Sequence, residues 1–172
     1  MRIGALADTH GHADPRLPEL FRGCELLLHA GDVGSPAVLA ALRAIAPVRA
    51  VRGNNDVGPF GESLPEALRE ALGPLAAVVL HELWAPDRLS PGARQALQRP
   101  APLVLYGHSH RPAVEQREGT LFLNPGSAGK KRFSLPRSAA LLTVEGRTVT
   151  FAVHDLDGPG LPLLLSPWRG DL

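Results

Sequence analysis

Seven residues with lone pairs to donate stand directly after apolar runs in this 172-residue chain. Asp8 and His10 follow the first run in Asp8-Thr9-His10-Gly11, and Asp32 closes the second in Gly31-Asp32. Asn54 follows the third in Gly53-Asn54-Asn55-Asp56. His81 ends the fourth, and His108 and His110 follow the fifth in Gly107-His108-Ser109-His110. Imidazole and oxygen donors without sulfur suit a borderline divalent ion: manganese (Mn), iron, nickel, cobalt or zinc. Seven donors exceed what one ion needs. Two ions sharing one carboxylate would use them all and keep open positions. A lone Gly-Asp or His at a strand end is an ordinary turn residue, but five such signals in order point to a binuclear metal site. The single cysteine, Cys24, excludes an intramolecular disulfide and any thiolate cluster.

The elements that must hold these donors are legible around them. Apolar runs of strand length at residues 3–7, 25–28, 48–51, 75–80 and 103–106 are bounded by Gly or Pro. In an open α/β sheet the loops beyond the carboxyl ends of the strands converge in one crevice, which would bring the donors together. Three helices are predicted between the runs. Ser35-Pro36 opens one, with Val38, Leu42 and Ile45 as its apolar stripe. Capping-box spacing from Ser63 to Glu66, with Leu64, Leu68 and Leu72 before Gly73, predicts a second. Ser90-Pro91 opens a third, which Pro100 ends. Beyond residue 112 the pattern changes to short strands at 114–118, 120–123, 139–145 and 148–153, joined at Gly119 and Gly146 as hairpins. Residues 1–156 form one mixed α/β domain. The Pro- and Leu-rich tail 157–172 is expected to lie extended on that body or free.

Composition excludes other classes. The 18 glycines and 17 prolines argue against a coiled coil or plain helical bundle. With 18 Lys and Arg against 17 Asp and Glu, the chain lacks the basic excess that tracking a polynucleotide demands. No uncharged apolar stretch approaches the ~18 residues of a membrane span, and the apolar N-terminal segment is too short for a signal peptide. The expectation is a cytoplasmic protein without membrane or polynucleotide partners, with a homodimer left open.

The ordered series resembles the calcineurin-like metallophosphoesterase superfamily over residues 2 to 154. Asp8-Thr9-His10-Gly11, Gly107-His108-Ser109-His110-Arg111-Pro112 and Asn124-Pro125-Gly126-Ser127 resemble in particular its small bacterial and archaeal phosphodiesterase branch, often called YfcE-like. The resemblance implies a four-layer αββα sandwich of two mixed β-sheets flanked by helices. It implies that Asp8, His10 and His110 bind a first divalent ion, that Asn54, His81 and His108 bind a second, and that Asp32 bridges them, with manganese the first expectation. It further implies hydrolysis of small phosphodiesters by a metal-bridging hydroxide. A protein-interaction scaffold of the Vps29-like kind is the alternative on the same fold, and a phosphomonoesterase or protein phosphatase the third. Two positions depart from the usual pattern. Asn55 stands where many members have a histidine, and Glu82-Leu83-Trp84 follows His81 where Gly is usual.

Further residues take candidate roles. Asp56 is expected to brace a ligand or loop amide, and Asn55 to contact substrate. His12 is a candidate proton donor, although a solvated loop histidine is the favoured reading. By the resemblance, Asn124 or Ser127 touches substrate or a ligand. Lys130, Lys131, Arg132 and Arg137 form a basic cluster that is either a solvated patch or a recruiter of phosphate. His29 and His154 read as structural.

An amide at position 55 can donate a hydrogen bond but cannot transfer a proton, so the leaving oxygen must depart largely as an anion. An activated aryl diester should therefore turn over at least ~10²-fold faster than an alkyl diester, the scale of a general acid's contribution. The rate should climb with pH, with no falling limb near neutrality. A leaving-group series at saturating metal measures this. A flat series, with a bell-shaped profile lost in His12→Ala, would assign the proton to His12.

Overall fold

Alternation of period two sorts the side chains of the first strands onto opposite faces, and both faces are buried. The structure, a computed structural model, describes residues 1–83, 86–132 and 134–172. Strands β1 (Arg2–Leu6), β2 (Leu26–His29) and β3 (Val48–Ala50) run parallel. Strands β9 (Ser138–Glu145), β10 (Thr148–Asp155) and β11 (Trp168–Asp171) extend that sheet antiparallel beyond β1, in the order β11-β10-β9-β1-β2-β3. The second sheet has the order β4-β5-β6-β8-β7, built from β4 (Ala67–Leu72), β5 (Leu75–Leu80), β6 (Leu103–Leu105), β7 (Ala113–Arg117) and β8 (Thr120–Asn124). Its central strands β5, β6 and β8 are parallel, with β4 and β7 antiparallel at the edges.

Ile3, Ala5 and Leu28 of the first sheet share one core with Val79, Leu105 and Leu123 of the second. The opposite face of β1 and β2, through Leu6 and Leu27, packs with α1 (Leu17–Leu20) and α2 (Pro36–Arg43), which bury Leu17, Leu20, Val38 and Leu42. On the far side, Val78, Leu80 and Val104 cluster with Ala96 of α4 (Pro91–Leu97). Helix, sheet, sheet, helix: this is the αββα sandwich that the resemblance implied. Ser90 caps α4, its hydroxyl accepting from Ala93 N at 3.2 Å, and Ser35 with Pro36 opens α2 from an extended backbone. No helix among the described residues is long and apolar enough to cross a membrane.

The helix predicted over residues 63–72 is a correction. A short helix α3 (Gly58–Glu62) ends before it, and residues 67–72 form the edge strand β4. Leu68 and Leu72 are four residues apart, a spacing that places them on one face of a helix and equally on one face of a strand. As a strand, both reach the inter-sheet core. Gly73 decides the outcome: at φ +64° it starts a two-residue Gly73-Pro74 hairpin that pairs Leu72 with Leu75. The tail is also joined to the body. Trp168–Asp171 pairs with Thr148–Phe151 of β10, and Leu164, Leu165 and Trp168 pack on the inter-sheet core. Arg137 ties the tail to the N-terminal half, reaching Asp14 at 2.7 Å and Asp157 at 2.9 Å.

Residue 71 tests strand against helix. Ala71 is exposed on β4, where a β-branched side chain suits the pleat. Ala71→Thr should hold or raise stability in equilibrium denaturation, whereas a helix there would lose about 0.5–0.7 kcal/mol.

Candidate metal centre

The donors all leave from strand ends on one edge of the sandwich. Asp8 and His10 follow β1, Asp32 follows β2, Asn54 follows β3, His81 follows β5, and His108 and His110 follow β6. Neighbouring loops are joined through their backbones. Asp8 N donates to Gly31 O at 3.0 Å, His10 N to Asp32 O at 2.9 Å, and Gly107 N to His81 O at 3.0 Å. Asp8, His10, Asp32, His108 and His110 all adopt left-handed backbone, with φ from +47° to +68°. Such residues cost of order 1–3 kcal/mol each and persist only where the surroundings hold them. Their concentration among the donors turns five side chains inward at once.

The donors fall into two groups. In the first, ligand atoms of Asp8, His10 and His110 lie within 4.8 Å of one another. His10 Nε2 is 3.3 Å from His110 Nε2, which is 3.3 Å from Asp8 Oδ1. Asp8 Oδ1 is buried with no hydrogen-bond partner among the described residues. Burial lowers the pKa of His10, against the opposing pull of Asp32, and keeps its imidazole neutral with a lone pair available. In the second group, His81 Nδ1 is 2.8 Å from Ala30 O, which can only accept, so the ring proton sits on Nδ1. Nε2 then carries a lone pair and faces Asn54 Oδ1 at 2.9 Å, and His108 Nδ1 faces the same oxygen at 3.0 Å. A cation between them would relieve that crowding of lone pairs. Between the groups lies Asp32, its Oδ2 at 3.7 Å from His10 Nε2 and 3.5 Å from His81 Nε2. The donor set fits divalent ions.

Around the donors are polar residues that position them. Asp56 accepts from Val33 N (3.1 Å), Gly34 N (2.7 Å) and Gly53 N (2.9 Å), so one buried carboxylate locks the Asp32 and Asn54 loops together. This is the loop-bracing role expected of it. Asn55 donates from its backbone N and side-chain Nδ2 to Asp32 Oδ1 and Oδ2 at 2.8 and 2.6 Å, which orients the central carboxylate. Asn124 and Ser127, expected to touch substrate or a ligand, are buried. Asn124 Nδ2 donates to Gly107 O at 2.9 Å and its Oδ1 accepts from Gly126 N, while Ser127 Oγ donates to Asp8 O at 3.0 Å. Both brace ligand-bearing loops, because the β8 turn passes beneath those loops. His29 is a core residue. Its Nε2 bonds the Thr9 hydroxyl at 2.9 Å, and burial, then His81, pushes its pKa down to about 3.

His12 is half-buried beside the donor loop, with its backbone N bonded to Thr9 O and no side-chain hydrogen bond among the described residues. The basic cluster divides. Arg137 and Lys131 pair with Asp157, whereas Arg132 stays exposed close enough to act on His10. After His81, Trp84 lies outside the described residues. Glu82, unread as a donor from sequence, forms a third group with His81 and His108. An acidic residue next to a candidate ligand was the available signal.

Residues 1–147 match the calcineurin-like phosphoesterase superfamily domain. The chain belongs to this superfamily. A probable metallophosphoesterase of Methanothermobacter thermautotrophicus is 32% identical over 152 residues, 85% of this chain and 87% of that protein. Two solved structures share the calcineurin-like fold over 99% of both chains. Vps29 of Entamoeba histolytica, complexed with zinc, has a TM-score of 0.74 at 24% identity. The E. coli phosphoesterase YfcE has a TM-score of 0.70 at 23% identity.

If Asn124 braces this metallophosphoesterase centre without touching substrate, Asn124→Ala should weaken manganese affinity about 10–100-fold, the usual effect of losing a residue that orients a ligand. KM at saturating metal should not move. Calorimetric titration beside steady-state kinetics separates these, since a raised KM with intact metal affinity would put Asn124 against substrate.

Proposed function

We propose that this phosphoesterase hydrolyses small phosphodiesters with two divalent ions, manganese foremost. The observation that supports this most is the position of Asp32, one carboxylate oxygen within 3.7 Å of both His10 Nε2 and His81 Nε2. Asp8, His10 and His110 would hold one ion, Asn54, His81 and His108 the other, and Asp32 both. Bound ions supply Lewis acidity toward phosphoryl oxygens and an activated water near neutral pH.

The chain's own residues shape what such a centre can cleave. Asn55 keeps its amide on Asp32, so it steadies the carboxylate and offers the leaving oxygen no proton. That favours diesters with a stable leaving anion. Beside the second group opens a cleft of about 150 Å³, with Arg52, Glu66, Glu82 and Arg88 among its lining residues. Its size suits one small arm of a diester, and the near-neutral charge of the chain speaks against a polynucleotide. Converging lone pairs beside a cleft support the enzyme, but zinc bound to Vps29 of Entamoeba histolytica means that metal uptake alone does not separate it from a binding scaffold, and turnover does.

Chelated protein reloaded with manganese should take up two ions per chain by metal analysis and cleave aryl phosphodiesters faster than the matching monoesters. Asp32→Ala should lower turnover more than ~10²-fold, beyond the usual effect of an outer residue, with folding checked by circular dichroism because metal binding and folding are linked. Wild-type turnover in Asp32→Ala, or uptake of no metal, would overturn the reading.

A further inference from the structure

Glu82 lies at the rim where the second group of donors meets the cleft. Its neighbour His81 is locked by Ala30 O so that Nε2 faces the site, and the chain then carries residue 82 past His108. Glu82 Oε1 is 3.7 Å from His108 Nδ1. Ligand atoms of His81, Glu82 and His108 all lie within 4.8 Å of one another. Donors about 2.1 Å from one ion stand about 3–4.2 Å apart, so the 3.7 Å Glu82–His108 separation fits two ligands on one centre. Asn54 Oδ1, at 2.9 and 3.0 Å from the two imidazoles, closes the other side.

We propose that Glu82 is a direct ligand of the second ion, an inference that rests on the two-ion reading. It makes the two positions unlike. The first has carboxylates Asp8 and Asp32 with imidazoles His10 and His110. The second has three oxygen donors, Asp32, Asn54 and Glu82, with imidazoles His81 and His108. Carboxylate and carbonyl oxygens suit manganese, whereas imidazole suits zinc as well. Without Glu82 the second position holds two neutral imidazoles, a neutral amide and half a share in Asp32. With it, that position gains a full negative charge and a harder donor set. Glu82 thereby biases the second position toward manganese relative to zinc.

The test is calorimetric titration of chelated full-length protein with Mn(II) and, separately, Zn(II), with electron paramagnetic resonance reporting the coupled manganese pair. Wild type should bind two ions and show the coupled signal. Glu82→Gln keeps the size and removes the charge. It should leave the first manganese affinity intact, weaken the second at least ~10-fold, weaken the second zinc less, and lose the coupled signal at equimolar loading. Circular dichroism of the apo variant should match wild type, since Glu82 is half-exposed at the rim. Two ions in wild type with unchanged affinities in Glu82→Gln overturn the assignment alone. Equal losses for manganese and zinc overturn the bias. One ion in wild type overturns the two-ion reading and this inference with it.

Discussion

Asp8 and Asp32 are shut away from water, 0% and 2% exposed, in the company of the imidazoles of His10, His81 and His110. That concentration of lone pairs is the constraint around which the rest is arranged, because a buried anion without counter-charge or hydrogen bonds costs several kcal/mol. Among the described residues, Asp32 accepts twice from Asn55, but Asp8 accepts only from His108 N on Oδ2, at 3.1 Å, leaving Oδ1 without a hydrogen bond. Divalent cations would supply what the protein groups do not, and metal binding at this edge would then add to stability.

Holding acceptors together against their repulsion falls to the backbone and to buried polar residues that never face the crevice. The strand ends of both sheets open onto one edge, and the left-handed turns rotate the donors inward. Close approach is achieved by omitting side chains. A Cβ at Gly53 would lie 2.1 Å from Asp32 Oδ1, and one at Gly107 would lie 2.8 Å from the Ala7 Cβ. Asp56, Asn124, Ser127 and Thr9 then satisfy the loop amides and carbonyls that such turns leave unpaired. These residues matter to chemistry through the ligands they position.

The absence of an acid at residue 55 and the presence of one at residue 82 shape the site in opposite senses. Asn55 reinforces the shared carboxylate and removes a proton source from the leaving-group side. Glu82 adds negative charge on the side of His81 and His108. Together they describe a centre built around metal charge more than around proton transfer.

The donors were legible because chemistry-bearing residues at the ends of apolar strands form a one-dimensional signal: strand, then ligand, repeated five times, with Gly before the ligand at three of them. Local propensity likewise exposed α2, α4 and the hairpins beyond residue 112. It misread residues 63–72, where the spacing of Leu68 and Leu72 satisfies both periods and only pairing with β5 across Gly73-Pro74 selects the strand. It left open whether Asn124 and Ser127 touch substrate or a ligand, since a motif names a neighbourhood but not the direction in which a side chain points. Glu82 went unread for the same reason: whether a carboxylate after His81 meets His108 depends on loops from β5 and β6 whose sequence separation hides their contact. The sequence by itself determined which atoms could bind metal and that they would share one edge. Tertiary structure alone decided which of them face one another and which support from below, because distances between loops are set by sheet packing and not by spacing along the chain.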